Sequence, residues 1–117
     1  MRKVSSNRSI TMNTSKTILF FGSGPVAAAS LASLVDHFTI ELVITKAVPT
    51  HHKGEAPVEV LAKQLGLPTL YANTKKELDE LIDLNQFDST VGVIVDYGVI
   101  VSQEVIDRFP LGIVNSH

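Results

Sequence analysis

The sequence predicts an α/β fold built on a parallel, doubly wound sheet, and three observations carry that prediction. Short apolar runs alternate along the chain with segments of helical spacing, the pattern of strands joined by crossover helices. Two of the runs, residues 91–95 and 111–114, are continuous instead of alternating with polar positions, as in strands covered on both faces. The first run, 17–21, leads through Gly22-Ser23-Gly24 into Pro25 and a small-residue segment, which reads as a strand, a sharp turn and a helix. With right-handed crossovers, these units predict a Rossmann-like sheet in the order 3-2-1-4-5, in which strands 1 and 4 flank the switch point.

The elements follow in order. A helix from Pro25 to about Asp36 is rich in alanine, which allows close packing on the sheet, and residues 40–45 form the second strand. Pro57 opens a second helix, with Val58, Leu61, Ala62 and Leu65 at helical spacing and Gly66 as its stop. Residues 68–71 are a short third strand. Thr74-Lys75-Lys76-Glu77 is a capping-box pattern that opens a third helix with Leu78, Leu81 and Ile82 inward. The charges on that helix, Lys75 to Glu80, read as a solvated face. Residues 91–95 give the fourth strand, Ser102 caps a fourth helix with Val105, Ile106 and Phe109 inward, and 111–115 give the fifth strand.

At 117 residues the chain is one domain with a single core, and no apolar run approaches the length of a membrane span. There are no cysteines, which excludes disulfides, thiolate metal sites and a cysteine nucleophile. Residues 1–16 hold Arg2, Lys3, Arg8 and Lys16 with no acid, and their polar, Ser/Thr-rich composition reads as a disordered tail. The tail has some character of an organelle transit peptide, but an over-extended start is the preferred reading, with Met12 as the true beginning. The rest of the chain carries six basic and twelve acidic residues, too acidic for a nucleic-acid clamp by itself.

The candidate chemistry lies at the ends of the last two strands, since ligands in such sheets bind beyond the strands' carboxyl ends. Asn115 and His117 are two apart, so on an extended strand they project to the same side. An amide and an imidazole together can hydrogen-bond a developing oxyanion and handle a proton. The turn at 22–27 also fits G-x-G-x-x-A. That fingerprint requires an acid at the end of the second strand to hold a ribose, and the strand ends in Thr45-Lys46 with Glu41 at its beginning, so the dinucleotide signal is incomplete. His51-His52 in the polar loop 46–56 is not a metal pair, because adjacent loop residues diverge and no third ligand stands at a useful spacing.

Three pieces of the chain resemble the amino-terminal catalytic domain of the folate-dependent formyltransferases, most closely those that act on methionyl-tRNA. Asp96-Tyr97-Gly98-Val99-Ile100 is similar to that family's Tyr-Gly folate loop. Pro110-Leu111-Gly112-Ile113-Val114-Asn115-Ser116-His117 is similar to its Pro-x-Gly-x-x-Asn-x-His signature. Residues 18–34 are similar to its first strand, glycine turn and helix. The likeness covers 17–117, as the amino-terminal part of the catalytic domain.

The resemblance implies formyl transfer from 10-formyltetrahydrofolate to the amino group of initiator methionyl-tRNA, in the cytoplasm sooner than in a mitochondrion. It implies catalytic Asn115 and His117, a co-substrate contact at Tyr97, Gly98, Val99, Ile100 and Val101, acceptor contacts at Gly22, Ser23 and Gly24, and no metal. The family's further aspartate follows the Asn-x-His, beyond His117. The chain alone is therefore expected to be an inactive fragment, with most tRNA contact outside it. Two departures stand out. The family's turn is usually Gly-Thr-Pro, unlike Gly24-Pro25, and many members carry a small residue where this chain has Asp96. Asp96 is expected to cap local N–H groups at the strand end. The short loop 46–56 keeps a formyltransferase for sugar amines or other small amines as the alternative, and a non-catalytic nucleotide-binding module stands as the alternative outside the enzymes.

Overall fold

The computed structural model describes residues 16–48 and 56–116. The expected tail thus lies outside the described residues except for Lys16, as do His51, His52 and His117. The elements are β1 (Thr17–Gly22), α1 (Pro25–Leu34), β2 (Thr39–Thr45), α2 (Pro57–Leu65), β3 (Thr69–Tyr71), α3 (Lys75–Leu84), β4 (Val91–Val95), α4 (Gln103–Asp107) and β5 (Ile113–Ser116). They form one five-stranded sheet in the order β3-β2-β1-β4-β5, with every neighbouring pair parallel. This is the expected Rossmann-like order.

The central strand explains the layers. Successive side chains of β1 alternate between the two faces of the sheet. Ile18 and Phe20 join Ala27 and Leu31 of α1 and Val58 and Ala62 of α2 on one face. Leu19 and Phe21 join Leu78 and Ile82 of α3, Val105 of α4 and Phe109 on the other. All four β1 side chains are buried, so the strand needs apolar residues on both faces and has them. Each such side chain is worth about 1.5–3 kcal/mol of burial.

The helix ends follow local chemistry. Pro25 occupies the first turn of α1, and Gly66 ends α2 in the left-handed region at φ 70°. Thr74 caps α3 by accepting from the Glu77 N–H at 3.1 Å, while the Glu77 carboxylate reaches back past the cap to the Asn73 N–H at 2.7 Å. Ser102 caps α4 through the Val105 N–H at 3.2 Å. The helix α1 ends at Leu34, two residues before the expected end, because Val35 to His37 close it as turns onto Leu31, Ser33 and Leu34 carbonyls.

The fifth strand corrects one expectation. Residues 111–114 read as a strand buried on both faces, yet β5 begins only at Ile113, and Leu111 and Val114 are exposed. It is an edge strand, paired only with β4 in this sheet, and Gly112 at φ 82° turns the chain before it starts. The expected order 3-2-1-4-5 already places the fifth strand at the edge, and only its apolar composition suggested cover on both faces.

The other unanticipated feature is a bulge. The register of β1 on β2 passes from Ile18↔Ile40 to Leu19↔Leu42, leaving Glu41 as the extra residue. Its carboxylate accepts from the Asp88 N–H at 2.8 Å, the Ser89 N–H at 2.8 Å and the Ser89 hydroxyl at 2.5 Å. Glu41 thereby fixes the chain's entry into β4, at the end of the sheet opposite to the candidate site.

Candidate functional site at the carboxyl ends of β1, β4 and β5

Parallel strands present their carboxyl ends together, and here β1 and β4 end beside each other at the switch point, with Gly22 paired to Val95. The two connections that leave these strands are tied by their backbones. The Asp96 carbonyl accepts from the Ser23 N–H at 3.1 Å, the Gly24 N–H at 3.3 Å and the Ser23 hydroxyl at 3.2 Å, and that hydroxyl also lies 3.1 Å from the Tyr97 carbonyl. The Asp96 carboxylate makes no hydrogen bond among the described residues, and the N–H groups that the side chain was expected to cap are met by the backbone carbonyl oxygen. To aim that oxygen the residue takes φ 50°, and it is the one non-glycine residue with positive φ among those described.

Space is as restricted as conformation. A Cβ at Gly22 would lie 2.6 Å from both the Ala27 Cβ and the Val95 carbonyl oxygen, and one at Gly24 would lie 1.9 Å from Asp96 Oδ2. Gly24 itself has an ordinary φ of −89°. Glycine is needed at 22 for close approach of the Val95 backbone, whereas at 24 the obstruction is the end of the exposed Asp96 side chain. Gly22, Ser23 and Gly24 therefore form the joint between β1, α1 and the 96–98 turn.

Tyr97 turns inward. Its ring is buried 6.1 Å from that of Phe21, and its hydroxyl donates to the Ala72 carbonyl at 2.7 Å. Burial pushes its phenol well above the usual tyrosine range, with the Glu77 carboxylate adding to the shift. Tyr97 is thus an anchor that pins the turn to the α3 face of the sheet, and what it offers outward is backbone. Gly98, at φ 80°, reverses the chain after it and lies near the Lys46 ammonium, which would be 3.7 Å from a Cβ there.

The reversal opens a cavity of about 680 Å³. Ile94, Val99, Val101, Ile106 and Ile113 supply apolar wall, Ile100 stands exposed at the mouth, and Asp96, Asn115 and Ser116 add polar edges. The volume lies within the range of about 300–1,000 Å³ usual for small-ligand sites, and the mixture of apolar wall and few polar groups is also usual. A flat heteroaromatic ring with polar edges fits such a lining, so the residues present suit a folate. Ile106 is held at the wall because Ser102 caps α4 and donates to the Asp79 carboxylate of α3 at 2.7 Å. That bond is the main reason the Asp79 carboxyl lies below its ordinary value, and it separates Asp79 from the solvated face expected on α3.

The predicted site residues are distributed as follows. Tyr97, Gly98, Val99, Ile100 and Val101 all line the cavity, together with Asn115. Asn115 pairs with Ile94 across β4 and β5, is exposed, and has no side-chain hydrogen bond among the described residues. Gly22, Ser23 and Gly24 adjoin the cavity through the Asp96 joint without lining it, while Val26 of α1 does line it. Sequence reasoning missed Val26, Ile94 and Ile106. Ile94 carried a signal, since it lies at the carboxyl end of β4, but Val26 and Ile106 read as ordinary helix residues.

Among the described residues there is no group of three or more His, Cys, Asp or Glu placed to hold a metal, and no helix long and apolar enough to cross a membrane.

No family model matches the chain. Comparison with curated proteins finds a methionyl-tRNA formyltransferase of Akkermansia muciniphila, 33% identical over 104 residues, covering 86% of this chain and 33% of the relative. Another, from Bradyrhizobium diazoefficiens, is 34% identical over 106 residues, covering 86% of this chain and 34% of the relative. A third, from Chromohalobacter salexigens, is 33% identical over 112 residues, covering 91% and 34%. The chain spans about a third of the length of these relatives. With about a third of its residues identical over most of its length, and with the expected sheet order, the chain matches part of the formyltransferase domain of the methionyl-tRNA formyltransferases.

Proposed function

We propose that the chain carries the formyl-donor site of an enzyme that moves a formyl group from 10-formyltetrahydrofolate to the amino group of initiator methionyl-tRNA, in the cytoplasm. The observation that carries this reading is the cavity that joins the 96–101 turn to Asn115. Its apolar wall would receive the pterin, and the backbone of 96–98 would meet the ring's polar edge. The co-substrate supplies an activated formyl group.

The residues then act by position. The neutral acceptor amine attacks the formyl carbon and charge builds on the formyl oxygen; the carbon–N10 bond then breaks, N10 takes up the proton that the amine gives up, and tetrahydrofolate leaves. The amide of Asn115, which has no side-chain hydrogen bond among the described residues, is a donor for that oxygen, with His117 as the second. Loss of one such donor typically costs about 10²–10³ in rate.

A thermal-shift titration with a stable 10-formyltetrahydrofolate analogue, run beside NADPH, tests the reading. The analogue should raise the melting temperature in a concentration-dependent way, and Ile100→Asp, a charge placed at the exposed mouth, should abolish the rise. A rise with NADPH alone would sink the formyltransferase reading and favour a nucleotide-binding module.

A further inference from the structure

We infer that Asp96 is the contact for the positively charged amino group of the formyl acceptor. The inference rests on the cavity being the formyl-donor site, and four observations lead to it. Asp96 lines the same cavity as Asn115, one residue beyond β4, and Asn115 pairs with Ile94 on the neighbouring strand. The Asp96 backbone is held by three hydrogen bonds to Ser23 and Gly24, so the residue has a fixed place. Its carboxylate, in contrast, is exposed and makes no hydrogen bond or ion pair among the described residues.

The fourth observation is the accommodation around it. The chain tolerates an aspartate at φ 50°, where glycine would be less strained, and leaves position 24 without a Cβ beside that carboxylate. A carboxylate without a partner among the described residues, at the edge of a cavity whose wall is mostly apolar, is matched by a cation. A primary aliphatic amine is largely protonated before it reacts, and an ammonium held by Asp96 would stand at the cavity edge shared with Asn115. The ligand class is therefore a small primary ammonium, such as the α-amino end of an aminoacyl ester, and Asp96 selects for it over neutral analogues.

Nuclear magnetic resonance titrations of the whole chain test this, using L-methioninamide, its N-acetyl derivative and the stable formyl-folate analogue as probes. Asp96→Asn is the variant, because asparagine keeps the shape and tolerates positive φ. Methioninamide should shift the Asp96 and Asn115 amides and the N-acetyl derivative should not. Asp96→Asn should weaken methioninamide about tenfold or more beyond any loss for the folate analogue, as expected for one charge-assisted hydrogen bond. Equal losses for both probes, or methioninamide binding that ignores the substitution or does not occur, would overturn the assignment. Folate binding fails separately: methioninamide binding that depends on Asp96 in a chain blind to the folate analogue would support the ammonium contact and remove the formyl-donor reading.

Discussion

Asp96 Oδ2 stands where a side chain at position 24 would begin, only 1.9 Å from the place of a Cβ on Gly24. The two positions that read in the sequence as departures from the resemblance thus meet in one contact. Separated by the length of three crossover connections, they show no relation in the sequence. In its present rotamer the Asp96 carboxylate leaves no room for a Cβ at position 24, and a small residue at 96 would leave that room open.

That coupling is measurable. Gly24→Ala alone must push the carboxylate aside and should destabilise the chain by about 1–2 kcal/mol, as overpacking does. In an Asp96→Gly background the same substitution should cost much less, because both the obstruction and the positive-φ strain are gone. A double-mutant cycle from denaturant unfolding should show a coupling of about 1 kcal/mol. Strict additivity of the two substitutions would mean that the carboxylate moves away freely.

Tyr97 should behave as a core residue. Removing its hydroxyl in Tyr97→Phe leaves the Ala72 carbonyl without the 2.7 Å bond and should cost about 1–3 kcal/mol, while Tyr97→Ala should cost about 3–5 kcal/mol. Burial raises its phenol pKa in the folded state. The unfolded chain therefore ionises first as the pH rises, so this contribution is complete below about pH 10, the ordinary phenol value, and is lost above it. Tyr71 adds to the same alkaline loss, since its hydrogen bond to Glu59 is the main cause of a pKa pushed up to about 12. Stability measured between neutral and strongly alkaline pH should fall, and less steeply in Tyr97→Phe.

Glu41 offers a test at the opposite end of the sheet. Its carboxylate accepts three hydrogen bonds from Asp88 and Ser89 because the bulge directs it there. Glu41→Gln places an amide against donors and should cost about 1–3 kcal/mol in denaturant unfolding. Binding of the folate analogue to the folded variant should be unchanged, since Glu41 is absent from the cavity wall.

The reach of the sequence can be judged from these same residues. Periodicity is local, and it placed β1, the helices and the strand order, because an apolar run and its turn residues act within a few positions. That the Tyr97–Val101 segment and Asn115 would come together was also legible, since both stand at the carboxyl ends of strands, and they line one cavity. Contacts made by folding were not. Glu41 read only as an acid in the wrong place for a ribose, because a bulge depends on how two strands align. Tyr97 read as a ligand residue although its ring faces Phe21, and no pattern in a turn states which way a ring rotates. The exposure of Val114 follows from β5 being an edge, a property of the sheet and not of the strand.

The wall of the cavity depends on a bond between two helices. Ser102 both accepts from the Val105 N–H and donates to Asp79, so Ser102→Ala removes a cap and a tether together and should cost about 1 kcal/mol for the cap alone. Asp79→Asn isolates the tether. The Ser102 hydroxyl is the first cause of the lowered Asp79 pKa, and Lys75 adds to it. A depressed folded-state pKa gives stability that is present above the ordinary aspartate range, about pH 4, and is lost as the pH falls through the folded value. Unfolding measured from neutral pH downward should therefore show an acid-side loss that is smaller in Asp79→Asn. Because Ile106 sits on the helix so tethered, the same variant should weaken the folate analogue by a few-fold, while an unchanged affinity would show that α4 keeps its place through Val105 and Phe109 packing alone.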